Sequence, residues 1–238
     1  MNRRTIASVC HTCVLLLCLM ALCLPALAGP PLICHPFETG GAASLPWSNP
    51  AEWRSVKRDY ELNRLVEDTL ALLTPKTPVI ARMETLRRAA IYAVWAARDR
   101  EVGRPVYGEQ IAFNQKVADE LLARLHARAQ QNPADALALF DAAYLLATYQ
   151  QSGWQAGTQK IAGPYAQIRR AAELSGDAAM QFAAALATPD KAAQRTHLQK
   201  AVAGAPEGSL LARNLVKHFG NWGRTLAELN ANIALNKN

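Results

Sequence analysis

Beyond its first 28 residues the chain has a single cysteine, Cys34, of five in all. One thiol cannot pair within its own chain, which excludes a disulfide-stapled fold. β-Branched aliphatic residues are also scarce. Residues 29–238 hold 16 Val and Ile together, whereas about one residue in five is Ala. That balance disfavours a large sheet and favours helix. Charge of neither sign dominates: the same stretch carries 24 Lys+Arg against 19 Asp+Glu, a net of +5. So modest and dispersed an excess makes nucleic acid an unexpected partner. Nor does any run of 18 apolar residues follow the first segment, which leaves that part without a membrane-spanning helix. Intrinsic disorder is excluded by composition, since 50% of residues are hydrophobic and 19% charged. The catalytic and cofactor templates are missing as well. There is no H-E-x-x-H, no paired C-x-x-C, no G-x-G-x-x-G, no phosphate-binding loop and no G-x-S-x-G. The chain is therefore expected not to be an enzyme and to need no cofactor or metal.

The first 28 residues read as a secretory signal peptide. Arg3 and Arg4 are its basic start, Cys13 to Leu24 its apolar run, and Pro25 its break. Ala26-Leu27-Ala28 is the small-x-small cleavage pattern, so the mature chain is expected to begin at Gly29 in the periplasm or outside the cell. Cys10, Cys13, Cys18 and Cys23 leave with this segment. Retention as an anchor is the alternative, because no Asp, Glu, Lys or Arg occurs from Thr5 to Phe37.

Residues 29–50 form a Pro- and Gly-rich arm, with five prolines and the pair Gly40-Gly41. Prolines at that density forbid a helix. Leu32, Ile33, Phe37, Leu45 and Trp47 are too many large apolar groups for a solvated linker. The arm is therefore expected to lie extended on the remaining domain, residues 51–238.

From Ala51 the pattern turns helical. Trp53, Val56, Tyr60, Leu65 and Leu72 set a first helix, which Thr74-Pro75 stops. Thr77 is placed to cap a second, with Val79, Met83, Leu86, Ala90 and Val94 on its buried face. A third is expected over Glu109–Gln130 and a fourth over Ala134–Gln151. The glycines of residues 152–164 mark an interior break. Shorter helices follow at about 164–174, 177–187, 190–203, 207–219 and 223–235. Ala201 and Pro206, followed by Leu215 and Phe219, fall where a tetratricopeptide repeat places its small residue, junction proline and next anchors; Asn132-Pro133 looks like another junction. The chain thus resembles a tetratricopeptide-like array, and an irregular or divergent all-α helical array is the expected fold class.

A second resemblance concerns the arm. Cys34-His35-Pro36-Phe37, then Gly41, Ala43 and Ser44-Leu45-Pro46-Trp47, is similar to the start of a group of uncharacterised exported bacterial proteins. Thr77-Pro78-Val79-Ile80 and Arg82 to Arg88 resemble the same group. The resemblance implies export and a helical body, and it supplies no catalytic residue.

Two constellations are candidates for binding. Cys34 and His35 adjoin, but neighbours in an extended segment point to opposite faces, so His35 is poorly placed to activate the thiol. The base would be His126, His197 or His218. Without one, Cys34 is a packed thiol, or one that joins two chains or forms a mixed disulfide in an oxidising compartment. Arg88, Tyr92 and Trp95 line up at spacings of 4 and 3 and could meet an anion. The competing reading is a solvated flank, where Glu84 pairs with Arg87 and Arg88 within the helix. Glu101, Glu109, Asp119 and Glu120 cluster around the third helix, but no glycan-cleft signature surrounds them. The reading that results is an exported scaffold for envelope protein partners, able to form a disulfide-linked dimer through Cys34. A thiol- or metal-dependent protein using Cys34 and His35 is the alternative, and a cell-wall enzyme a more distant one.

Overall fold

The computed structural model describes residues 32–34, 36–94, 109–151 and 163–235, with side chains of 109–114 excepted. The expected signal peptide, His35 and Trp95 lie outside the described residues. The description comprises nine α-helices and a 3-10 turn, with no strand among the described residues. The helices are α1 (Leu65–Leu72), α2 (Val79–Val94), α3 (Glu109–Gln131), α4 (Ala136–Gln151) and α5 (Pro164–Ser175). They continue as α6 (Ala178–Ala187), α7 (Lys191–Ala203), α8 (Leu210–Phe219) and α9 (Leu226–Leu235). The all-α expectation therefore holds.

Local chemistry sets the boundaries. Asp135, Asp177, Asp190 and Ser209 each accept amide hydrogens of the turn that follows, opening α4, α6, α7 and α8. Pro164 starts α5, and Gly176, at φ 67°, ends it. Thr77 behaves differently from expectation. Its hydroxyl donates to the Leu72 carbonyl and accepts the Thr74 amide, closing the α1–α2 corner.

The first helix is also shorter than its periodicity predicts. Residues 51–61 form turns, and the helix proper begins at Leu65 after the 3-10 turn Leu62–Arg64. Trp47 and Val56 make an isolated antiparallel bridge, and the Ser48 amide donates to the Ser55 carbonyl at 2.9 Å. Trp53, Val56 and Tyr60 thus recur at helical spacing in a segment whose backbone bonds go to a hairpin. Propensity gave way there to pairing with Trp47.

Adjacent helices pack on each other from α1 through α7, and α8 packs on α9. Alternate ones do too: α2 on α4, α4 on α6, and α6 on α8. These four helices make a continuous layer. Across it run the non-helical residues 32–34 and 36–47, the strap. Leu32 begins at the end of α4, its amide on the Gln151 side chain. Phe37 inserts between α6 and α8, edge-on to Phe182 at 6.0 Å and stacked on His218 at 4.5 Å. The Glu38 amide and carbonyl both bond the Asn214 side chain of α8 at 3.0 Å. Gly40 and Gly41, at φ 63° and 86°, then reverse the chain beside Leu210, a conformation side chains resist. The strap returns to α2, where Leu45 is fully buried.

The strap explains the character of α2. Fourteen of its sixteen residues are buried, including Arg82, Glu84 and Arg87. A helix expected to show a solvated charged flank is instead enclosed by α1, α3, α4, α6 and the strap.

Candidate functional site

The charged residues of α2 are satisfied internally. Glu84 is fully buried and takes Arg87 in a forked pair, at 2.8 and 2.9 Å, and Arg88 at 2.6 Å. Its Oε2 also accepts the Phe37 amide at 3.0 Å. Arg87 spends its remaining donor on two carbonyls, Ile33 at 3.0 Å and Trp53 at 2.8 Å. Arg88 donates to the Leu45 carbonyl at 2.5 Å. Tyr92 donates to the Pro46 carbonyl at 2.7 Å and accepts the Lys57 amide at 2.9 Å. Burial raises the Tyr92 phenol's pKa above its ordinary value, so it stays a neutral donor. Both guanidinium groups lie over the Trp47 ring, at 5.2 and 5.3 Å.

Arg88 and Tyr92 therefore do come together, as their spacing predicts, and their polar atoms hold the strap and the following turn. They support a site rather than face an open one. The site lies beyond them. Over Cys34 opens a cleft of about 1250 Å³, formed where Cys34, Pro36, the turns of 48–59, α2 and α8 meet. Cys34 is half-buried in its lining. Pro36, Trp53, Val56 and Tyr92 contribute apolar or aromatic surface, and Arg54, Lys57, Arg58 and Lys217 contribute cations. Arg87 fixes two of its walls together, because Ile33 adjoins Cys34 and Trp53 lines the opposite side. Tyr92 clips Lys57 in the same way. A cleft whose walls are tied to a buried helix is pre-formed, which lowers the ordering cost of binding.

The histidines are committed elsewhere. His197, between α5, α6 and α7, has Nδ1 2.7 Å from Gln181 Oε1 and Nε2 2.9 Å from the Tyr165 hydroxyl. Since the amide oxygen only accepts, Nδ1 carries the hydrogen and Nε2 accepts from Tyr165. Burial holds its pKa below the usual histidine value. His218 stacks against Phe37, and burial depresses His126 on α3. Both ring nitrogens of His197 are thus engaged within the helical body. No three His, Cys, Asp or Glu side chains among the described residues converge to hold a metal ion. Asp119 and Glu120 are exposed on α3, and Glu120 lies 3.9 Å from Arg124.

A second ion pair is buried at the α1–α2 corner. Arg82 reaches Asp141 of α4 at 2.5 Å and also donates to the carbonyls of Thr74 and Thr77. Desolvation outweighs that arginine and pushes the Asp141 carboxyl up to about 7.

Of the residues singled out from the sequence, Cys34 and Tyr92 lie in the cleft lining and Arg88 does not; Trp53, Arg58 and Lys217, also in the lining, were not singled out as site residues. No local pattern joins position 34 to positions 53–58 and 217. Only the strap brings them to one place. No protein-family model, curated protein or solved structure matches this chain.

Proposed function

We propose that the protein is an exported, periplasmic helical scaffold that engages an envelope protein partner at the Cys34 cleft. The observation that carries this reading is the half-buried free thiol in the lining of an open cleft. A thiol so placed can be reached by another chain's sulfur. The α2–α4–α6–α8 layer supports reading the body as a divergent tetratricopeptide-like array with an N-terminal arm across it. In such an array the continuous layer is the face that takes a peptide. Here it is already occupied by the chain's own strap, which directs a partner to the neighbouring cleft. The thiol- or metal-dependent alternative needs His35 or another base beside Cys34, and His197 is already engaged by Gln181 and Tyr165.

The test is capture of partners from the native envelope by the exported protein, with and without reductant. A partner, or a second copy of the chain, that is released by reductant and absent with Cys34→Ser is the expected result. An unchanged partner list after Cys34→Ser would remove the thiol from the account. N-terminal sequencing of the exported chain checks cleavage after Ala28.

A further inference from the structure

We infer that the cleft over Cys34 is also a binding site for an amphiphilic organic anion: a small molecule with an aromatic or apolar body and one acidic group. The inference shares with the proposed scaffold only the location of the site and requires no thiol chemistry.

Size is the first argument. At about 1250 Å³ the cleft exceeds the range of roughly 300–1,000 Å³ usual for small-ligand pockets, so an aromatic molecule enters without rearrangement. Lining chemistry is the second. Trp53, Val56 and Pro36 offer flat and apolar faces for the body of such a ligand. Charge is the third. The two acids of the lining are already engaged: Glu52 accepts from the Asn49 amide nitrogen at 2.8 Å, and Asp59 lies 3.5 Å from Lys57. Arg58 and Lys217 form no ion pair among the described residues. They come from different elements, the turn before α1 and the exposed side of α8. Cations on two walls of a concave, partly apolar space focus a positive potential inside it, which selects an anion over a neutral molecule of the same shape.

The cleft is also held open by buried chemistry that a ligand need not supply. Arg87 and Tyr92 tie both walls to α2. Cys34 then serves as a reporter, because a ligand seated on its wall shields the sulfur.

The experiment titrates the protein, purified as its host exports it, with 1-anilinonaphthalene-8-sulfonate, an aromatic sulfonate that fluoresces when sheltered from water. One saturable site is expected, weakened about tenfold or more by the double variant Arg58→Glu, Lys217→Glu. Asp59→Asn, which releases Lys57, should tighten binding, and Lys200→Glu on α7 should leave it unchanged. Saturating probe should slow alkylation of Cys34 by neutral N-ethylmaleimide. Melting curves of the variants should match the parent, since all the altered side chains are exposed. Equal affinity in the double variant, or a Cys34 alkylation rate indifferent to the probe, overturns the inference. So does equally tight binding of the uncharged N-phenyl-1-naphthylamine. Loss of a reductant-sensitive partner in Cys34→Ser bears on the scaffold alone, and loss of probe affinity in the Arg58→Glu, Lys217→Glu variant bears on this inference alone, so the two proposals fail separately.

Discussion

Arg87 shows how a charged side chain becomes part of a core. It is fully buried, yet each of its three nitrogens donates to a carboxylate or a carbonyl. A buried guanidinium is tolerated only on those terms. Replacing Glu84 with Ala leaves Arg87 charged and without its fork. That should cost about 3–5 kcal/mol in urea unfolding. Arg87→Ala should cost a similar amount for the mirror-image reason. A change below about 1 kcal/mol in either would mean that water reaches the pair. The sequence held a clue to this burial. Val79, Ile80, Met83, Leu86 and Ile91 leave α2 no polar face wide enough to be a surface. The i,i+3 and i,i+4 pairing of Glu84 with Arg87 and Arg88 was legible too. That the remaining donors would reach Ile33, Leu45 and Trp53 was not. Those carbonyls belong to a segment with no periodic relation to α2.

At the scale of elements, the strap behaves as a tenth layer-forming piece without being a helix. Phe37 touches Phe182 of α6 and His218 of α8, and its amide is held by Glu84 of α2. Phe37→Ala should therefore destabilise the fold by about 3–5 kcal/mol, as expected for a core phenylalanine. Far-ultraviolet circular dichroism at low temperature should change little, because the helices keep their own bonds. A loss of under 0.5 kcal/mol, roughly the scale of a surface change, would make the stretch a tether. Its prolines and large apolar residues lead to the expectation of an extended, docked segment. Its path did not follow from them. The reversal at Gly40-Gly41 beside Leu210 and the return to α2 depend on surfaces that exist only once the helices have packed. The early end of the helical pattern has the same origin. Trp53, Val56 and Tyr60 kept a helical rhythm, while bonds between Ser48 and Ser55 claimed the backbone.

For the molecule as a whole, the Arg82–Asp141 pair gives stability a distinctive pH dependence. Asp141 sits at about 7 in the folded chain, above the ordinary 3.8 of an unfolded one. Below the lower value both states hold the proton, and the contribution is fully present. Between the two, the unfolded chain releases its proton first, so the contribution is lost as pH rises toward 7. His197 acts in the opposite sense: its depressed value favours the folded chain above the usual histidine range and is lost as pH falls. Comparing melting temperatures of the parent and Asp141→Asn from pH 4 to 8 isolates the carboxyl. The parent's advantage should shrink as pH rises. An advantage that grows would mean that Arg82 holds Asp141 ionised, against the desolvation argument.

Composition and periodicity were enough to establish an all-α chain, the positions of most helices and the absence of any catalytic template. Those properties follow from interactions between residues a few positions apart, which a one-dimensional pattern records. The capping of α6, α7 and α8 by Asp177, Asp190 and Ser209 belongs to the same class. Tertiary structure alone decided that α2 is enclosed, that Arg88 and Tyr92 spend their polar atoms on the strap and the following turn, and that Cys34 shares a cleft with Trp53, Arg58 and Lys217. Each of these depends on contacts between segments separated by tens to nearly two hundred residues. Such contacts are set by which faces remain unburied after the helices pack, and that quantity exists only in the assembled fold.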